Sequence, residues 1–244
     1  THYPGKLVAT QLRGDKYPEN LWTASAVVVD KQGNVLHRFA PGDGQQVIKA
    51  RSTIKPLHAA MLYKVIKQAK EQGQDTPVIS PEEWVILSAS HAGSRLQTSL
   101  VESVLSKFQL TPDAIISGTH PPLSQARNEE LIRAGEKPDT LMHQCSGHHA
   151  GLAILSTYLG ADPKDYWKPD GKLQQFSQQQ LQAWTGKSTT VNQSYDNCNI
   201  PTVSAPLSDY AALYAKLVSD AELQPLVEAI ENHPDVISDE DALD

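Results

Sequence analysis

The sequence predicts an α+β fold, with a strand pair near the start and mostly helix after it. Three observations carry that prediction. Two β-rich runs, residues 24–30 and 35–39, are joined by a short turn. From 53 to 72, apolar residues recur at helical spacing. Beyond that, further segments of helical spacing are stopped by glycine or proline.

In order, residues 24–30 read Ala-Ser-Ala-Val-Val-Val-Asp and favour a strand. Lys-Gln-Gly-Asn at 31–34 is a hairpin turn, with Gly33 and Asn34 supplying the bend. A polar loop follows at 41–44. The helix over 53–72 should end near Glu71 or Gln72, because Gly73 is a natural stop. Pro81 opens a short helix at its first turn. The apolar run 84–87 reads as a buried segment opening into a small-residue loop. Helical spacing recurs over 96–108, 150–159 and 173–185, and within the polar stretch 119–139 over 124–134. Residues 208–230 form one or two helices, with Pro225 as the break. The acidic end, 239–244, reads as exposed. Neither repeat nor linker divides the chain, so one domain over 1–244 is expected.

Bulk composition bounds the function. The chain has 244 residues, 39% hydrophobic and 20% charged. Its mean hydropathy is −0.40. These values predict a soluble globular protein able to bury a core without staples. A net charge of −7 offers no basic field for nucleic acid or an anionic membrane. No apolar run is long enough to span a bilayer. No secretory signal is present, so a cytoplasmic location is expected.

Three motifs carry chemistry. Arg51-Ser-Thr-Ile-Lys55 lies where loop gives way to helix, and residues three apart share a helix face. Ser52 and Lys55 can therefore act as nucleophile and base if burial lowers the lysine pKa. Pro56 places the pair at the helix mouth. The bland alternative makes Ser52 a cap and Lys55 a solvated surface residue. Next, Ser88-Ala-Ser-His-Ala-Gly93 offers Ser90 and His91 to catalysis, and Gly93 permits close approach to the backbone. Its alternative is a polar turn capping the next helix. Third, Cys145-Ser-Gly-His-His-Ala-Gly151 has metal-ligand spacing. Cys145, His148 and Cys198 form the candidate zinc set, with His149 as an alternative and His143 as a weaker one. A Cys145–Cys198 disulfide, two buried thiols and a catalytic Cys-His pair are competing readings.

Together and in order, these motifs and Asp196-Asn-Cys-Asn-Ile-Pro201 resemble the rhizobial-type (class 3) L-asparaginases, the asparaginase II family. The resemblance runs from about Ala24 to the end. It implies a serine β-lactamase/glutaminase-like (penicillin-recognising enzyme) fold, usually as a homodimer, and hydrolysis of the L-asparagine side-chain amide to L-aspartate and ammonia. It also implies two serine–lysine pairs beside a zinc site. Ser52 and Lys55 match the first pair, and Ser90 matches the serine of the second. Cys145 and Cys198 match the cysteine ligands. Arg51, His91, His149 and Asp196 become substrate-side candidates.

Two departures stand out. The family carries lysine where His148 stands here. The lysine partner of Ser90 belongs to a later strand region that residues 1–244 do not include. The resemblance therefore predicts a domain incomplete at its C-terminus, whose full site needs a separate segment. The rival functions are a glutaminase or β-lactam-type hydrolase and a non-catalytic zinc-binding protein.

Overall fold

A computed structural model describes residues 2–3, 7–13, 17–39, 46–186 and 190–238. The loop expected at 41–44 and the acidic end at 239–244 lie outside the described residues. The chain opens in strands: β1 (His2–Tyr3), β2 (Leu7–Arg13), β3 (Tyr17–Ala24), β4 (Ala26–Val29) and β5 (Val35–Phe39). The expected hairpin is β4 and β5, antiparallel with Val28 opposite His37, and β1 adds in parallel to β5. Its turn is held by Asp30, whose carboxylate accepts the backbone N–H of Gln32 and of Asn34 at 2.9 and 2.8 Å. β2 and β3 form a separate antiparallel ribbon.

After β6 (Val47–Lys49) comes a 3-10 turn, Arg51–Ile54, leading into α1 (Lys55–Glu71). The turn is pinned by the Ala50 N–H, which donates to Val203 O at 2.9 Å. Pro56 lies in the first turn of α1, where no intrahelical partner is lost. α2 (Pro81–Ser88) and α3 (Arg95–Lys107) both start with reciprocal caps, Ser80 with Glu83 and Ser94 with Gln97. α4 (Gln125–Ala134) ends on Gly135 in the left-handed region. α5 (Ser146–Tyr158) and α6 (Lys172–Thr185) follow, then β7 (Thr190–Tyr195), β8 (Pro201–Pro206), α7 (Leu207–Ser219) and α8 (Gln224–Asn232).

The architecture mixes helix with small sheets and fits the α+β expectation. Several boundaries differ from the sequence reading. The apolar run 84–87 is helical, in α2. α5 starts at Ser146 and not near 150, so both histidines of the third motif enter its first turn. The segment 208–230 is two helices, but it breaks at Asp220, whose carboxylate accepts the Glu222 N–H at 3.0 Å. Pro225 sits in the first turn of α8, where proline is tolerated. The sheet β6-β8-β7 was not anticipated, because β8 is bounded by two prolines and buries Thr202 and Ser204 among its apolar residues.

α1, α2 and α5 pack on one another at the centre. Leu57, Met61, Ile86, Leu87 and Leu152 are fully buried there, each contributing about 1.5–3 kcal/mol by leaving water. Gly147 permits the α5–α2 approach, since a Cβ there would overlap Ile86 O. Among the described residues no helix is long and apolar enough to cross a membrane.

Candidate active site

Four loops converge at the mouth of α1. The 3-10 turn brings Arg51 and Ser52, both exposed, with Arg51 held at a strained φ of 48°. Lys55, the first residue of α1, points inward and is only 3% exposed. Its Nζ lies 2.7 Å from Ser90 Oγ, 3.4 Å from Ala89 O and 3.4 Å from Cys145 Sγ. Ser90 Oγ in turn lies 3.5 Å from Ser52 Oγ. The two residues chosen as a direct pair are thus joined through Ser90: three-residue spacing puts them on one face, but burial draws the lysine under the loop after α2. Burial also pushes the Lys55 pKa down from 10.5 to about 8, with the Asp196 charge opposing it.

The loop after α2 is fixed by His91. Its Nδ1 accepts the Gly93 N–H at 3.1 Å, and its Nε2 lies 2.8 Å from Ser146 Oγ, which donates to Leu141 O at 2.7 Å. Both ring nitrogens are therefore engaged by the protein, and burial pushes the His91 pKa down to about 3. His91, expected on the substrate side, ties two loops together in this structure. Gly93 fits at φ 79°, where a Cβ would come 2.6 Å from Met142 O.

The sulfurs of Cys145 and Cys198 meet as a disulfide. These sulfurs and a ring nitrogen of His143 all lie within 4.8 Å of one another. His148 is not part of that cluster. Its Nε2 lies 2.9 Å from His58 Nδ1, the two rings stack at 6°, and His58 Nε2 reaches Ser177 Oγ at 3.0 Å. His148, expected among the ligands, is turned toward His58 of α1, and His143 stands with the cysteines. Adjacent residues on a helix point about 100° apart, so one of the pair His148–His149 had to turn away.

Asp196 closes the turn between β7 and β8. Its Oδ1 accepts the N–H of Cys198 and of Ile200, at 2.8 and 3.0 Å. His149 is wholly buried, with Nδ1 2.9 Å from the Tyr166 hydroxyl and Nε2 without a hydrogen-bond partner among the described residues. Burial pushes its pKa down to about 3, helped by the His143 and Lys55 charges, while the Cys198 backbone opposes the shift.

The sequence model of the L-asparaginase II family matches residues 9–244. The chain belongs to the L-asparaginase II family. No curated protein matches it. Membership implies a hydrolase acting on amides. Within this family member, Ser52, Lys55, Ser90, Cys145 and Cys198 come together, with Asp196 and His149 near enough to act on Lys55 or to feel its charge. Among the described residues, the lysine against Ser90 is Lys55. Sequence reasoning missed His58, Ser177 and Tyr166. His58 was legible in part, since it stands three residues after Lys55 on the same face of α1. Tyr166 lies in a turn with no motif around it.

Proposed function

We propose that this protein is an L-asparaginase using a serine–lysine relay. One observation carries the reading: the buried Lys55 amine lies 2.7 Å from Ser90 Oγ, which lies 3.5 Å from the exposed Ser52 Oγ. As free base, Lys55 takes a proton from Ser90, and Ser90 takes one from Ser52. Ser52 Oγ attacks the carboxamide carbon, the proton held by Lys55 returns through Ser90 to the amide nitrogen, which leaves as ammonia, and water releases aspartate from the acyl-serine. The N-terminus of α1 favours negative charge developing there. Arg51 and Asp196 are the groups for the substrate carboxylate and ammonium. The penicillin-recognising type of fold and a homodimer belong to this reading, supported by the resemblance of the motifs.

The donor set suits zinc. Two sulfurs and one imidazole within 4.8 Å match its preferred ligands. Cys145, Cys198 and His143 would hold it once the disulfide is reduced. Bound there, it would supply positive charge to orient a substrate group.

The test is ammonia release from L-asparagine by wild type and Ser52→Ala. The variant should lose activity by roughly a thousandfold or more while keeping its circular dichroism spectrum. Near-normal turnover would overturn the mechanism.

A further inference from the structure

Ser90 stands between Lys55 and Ser52, and its place there leaves little slack. Its Oγ lies 2.7 Å from Lys55 Nζ but 3.5 Å from Ser52 Oγ, at the outer limit of a hydrogen bond. A small shift away from Ser52 would break the relay. Yet residues 89–94 join α2 to α3 outside any helix or strand, so no regular ladder fixes Ser90. Two backbone anchors hold the loop. The His91 N–H donates to Gln144 O at 3.1 Å, and the Ser124 N–H donates to Ala92 O at 2.8 Å. A third anchor is the His91 side chain.

The directions of its bonds follow from its partners. The Gly93 N–H can only donate, so His91 Nδ1 accepts it with a lone pair, at 3.1 Å. Burial keeps the ring neutral, with its pKa pushed down to about 3. A neutral imidazole then carries its one hydrogen on Nε2. That N–H donates to Ser146 Oγ at 2.8 Å, and the Ser146 hydroxyl passes its own hydrogen to Leu141 O at 2.7 Å. The other tautomer fails twice. Its Nδ1–H would face the Gly93 N–H, donor against donor. The Ser146 hydrogen would turn to Nε2, and Leu141 O would lose it.

Ser146 is wholly buried and is the first residue of α5. Its hydroxyl both accepts and donates, which leaves the His91 ring one orientation. α5 packs against α1, the helix that carries Lys55. The bond therefore refers an irregular loop to the same rigid helix pair as the base. His91 follows Ser90 directly, so the ring held by Ser146 sits one residue from the relay. We propose that Ser146 is a positioning residue: through the His91 ring it holds Ser90 Oγ between Lys55 and Ser52. The role rests on the serine–lysine relay proposed above; the hydrogen-bond directions do not.

Long-range proton–nitrogen correlation spectra of the nitrogen-15-labelled protein near neutral pH test the directions, with His91→Gln used for assignment. Wild type should show His91 Nε2 protonated and Nδ1 bare; Nδ1–H would overturn the bond to Ser146. Kinetics with L-asparagine test the role. Ser146→Ala should lower kcat about tenfold with KM kept within about twofold, the loss expected when one buried donor goes unpaired. An unchanged kcat, or a loss that lies wholly in KM, would overturn the role. Two His91 variants decide it even where Ser146→Ala folds poorly. His91→Gln keeps an N–H that can reach Ser146, whereas His91→Asn keeps only the acceptor for Gly93. His91→Gln should therefore retain several times more of kcat than His91→Asn. Equal values, or a faster His91→Asn, would overturn the role of Ser146. Wild type that releases no ammonia from L-asparagine would sink the asparaginase reading and the role with it, while the spectra still decide the hydrogen-bond directions.

Discussion

Replacing Lys55 with methionine keeps the aliphatic stem and deletes the amine. Lys55 is 3% exposed, and burial holds its pKa at about 8 against an ordinary 10.5. The folded state thus disfavours the ammonium by about 3 kcal/mol relative to the unfolded chain. Below pH 8 both states carry the proton, and the whole cost weighs on the fold. Between the folded and unfolded values the unfolded state binds more protons, so stability rises with pH. Above 10.5 both are neutral and the cost is gone. Methionine never carries the charge, but it loses the 2.7 Å contact with Ser90, a hydrogen bond of about 1 kcal/mol. In metal-free protein at pH 7, Lys55→Met should therefore be more stable than wild type by about 2 kcal/mol, a rise of about 4–8 °C in Tm for a chain of this size. Near pH 10.5 the order should reverse by about 1 kcal/mol. The same variant should release no measurable ammonia from L-asparagine. Urea titrations of both proteins at the two pH values give the comparison. A variant less stable than wild type by the same amount at both would refute the buried-charge argument, and a variant with normal turnover would refute the role of Lys55 as base.

Two further outcomes follow from the geometry. Zinc added to the reduced protein should bind at about one equivalent. By metal analysis after dialysis, Cys198→Ala and His143→Ala should lose that zinc while His148→Ala retains it; the reverse order for the two histidines would restore the ligand set read from sequence. Gly147→Ala should lower stability by about 1–3 kcal/mol, because the new methyl group displaces α5 from Ile86 O; an unchanged Tm would show that the two helices have room to spare.

The helices were legible because their spacing and their stops agree. Gly73 follows α1 close to where the sequence places its stop, and α4 ends at Ala134, the expected limit of its span. The sheet under the site was not legible. In β8 the buried run Thr-Val-Ser-Ala carries no alternation of polar and apolar residues, and its partners β6 and β7 lie far away in sequence. The residue types of the site were legible, but their directions were not. Ser52, Ser90 and Lys55 were all named, yet only burial decides that the lysine turns to Ser90. His148 and His149 look alike in sequence. The stacked His58 ring takes one and the Tyr166 hydroxyl takes the other. His91 was named, but not the bonds that hold it: Gly93 N–H and Ser146 Oγ occupy both its nitrogens.

The central claim is that Ser52 becomes acylated while Lys55 and Ser90 move its proton. Acid quenching of wild type during turnover of L-asparagine, followed by peptide mass mapping, tests it directly. The account predicts an aspartyl group on the peptide that carries Ser52 and none on the peptide that carries Ser90. Aspartyl on Ser90, or ammonia release with no acylated peptide at all, would contradict it.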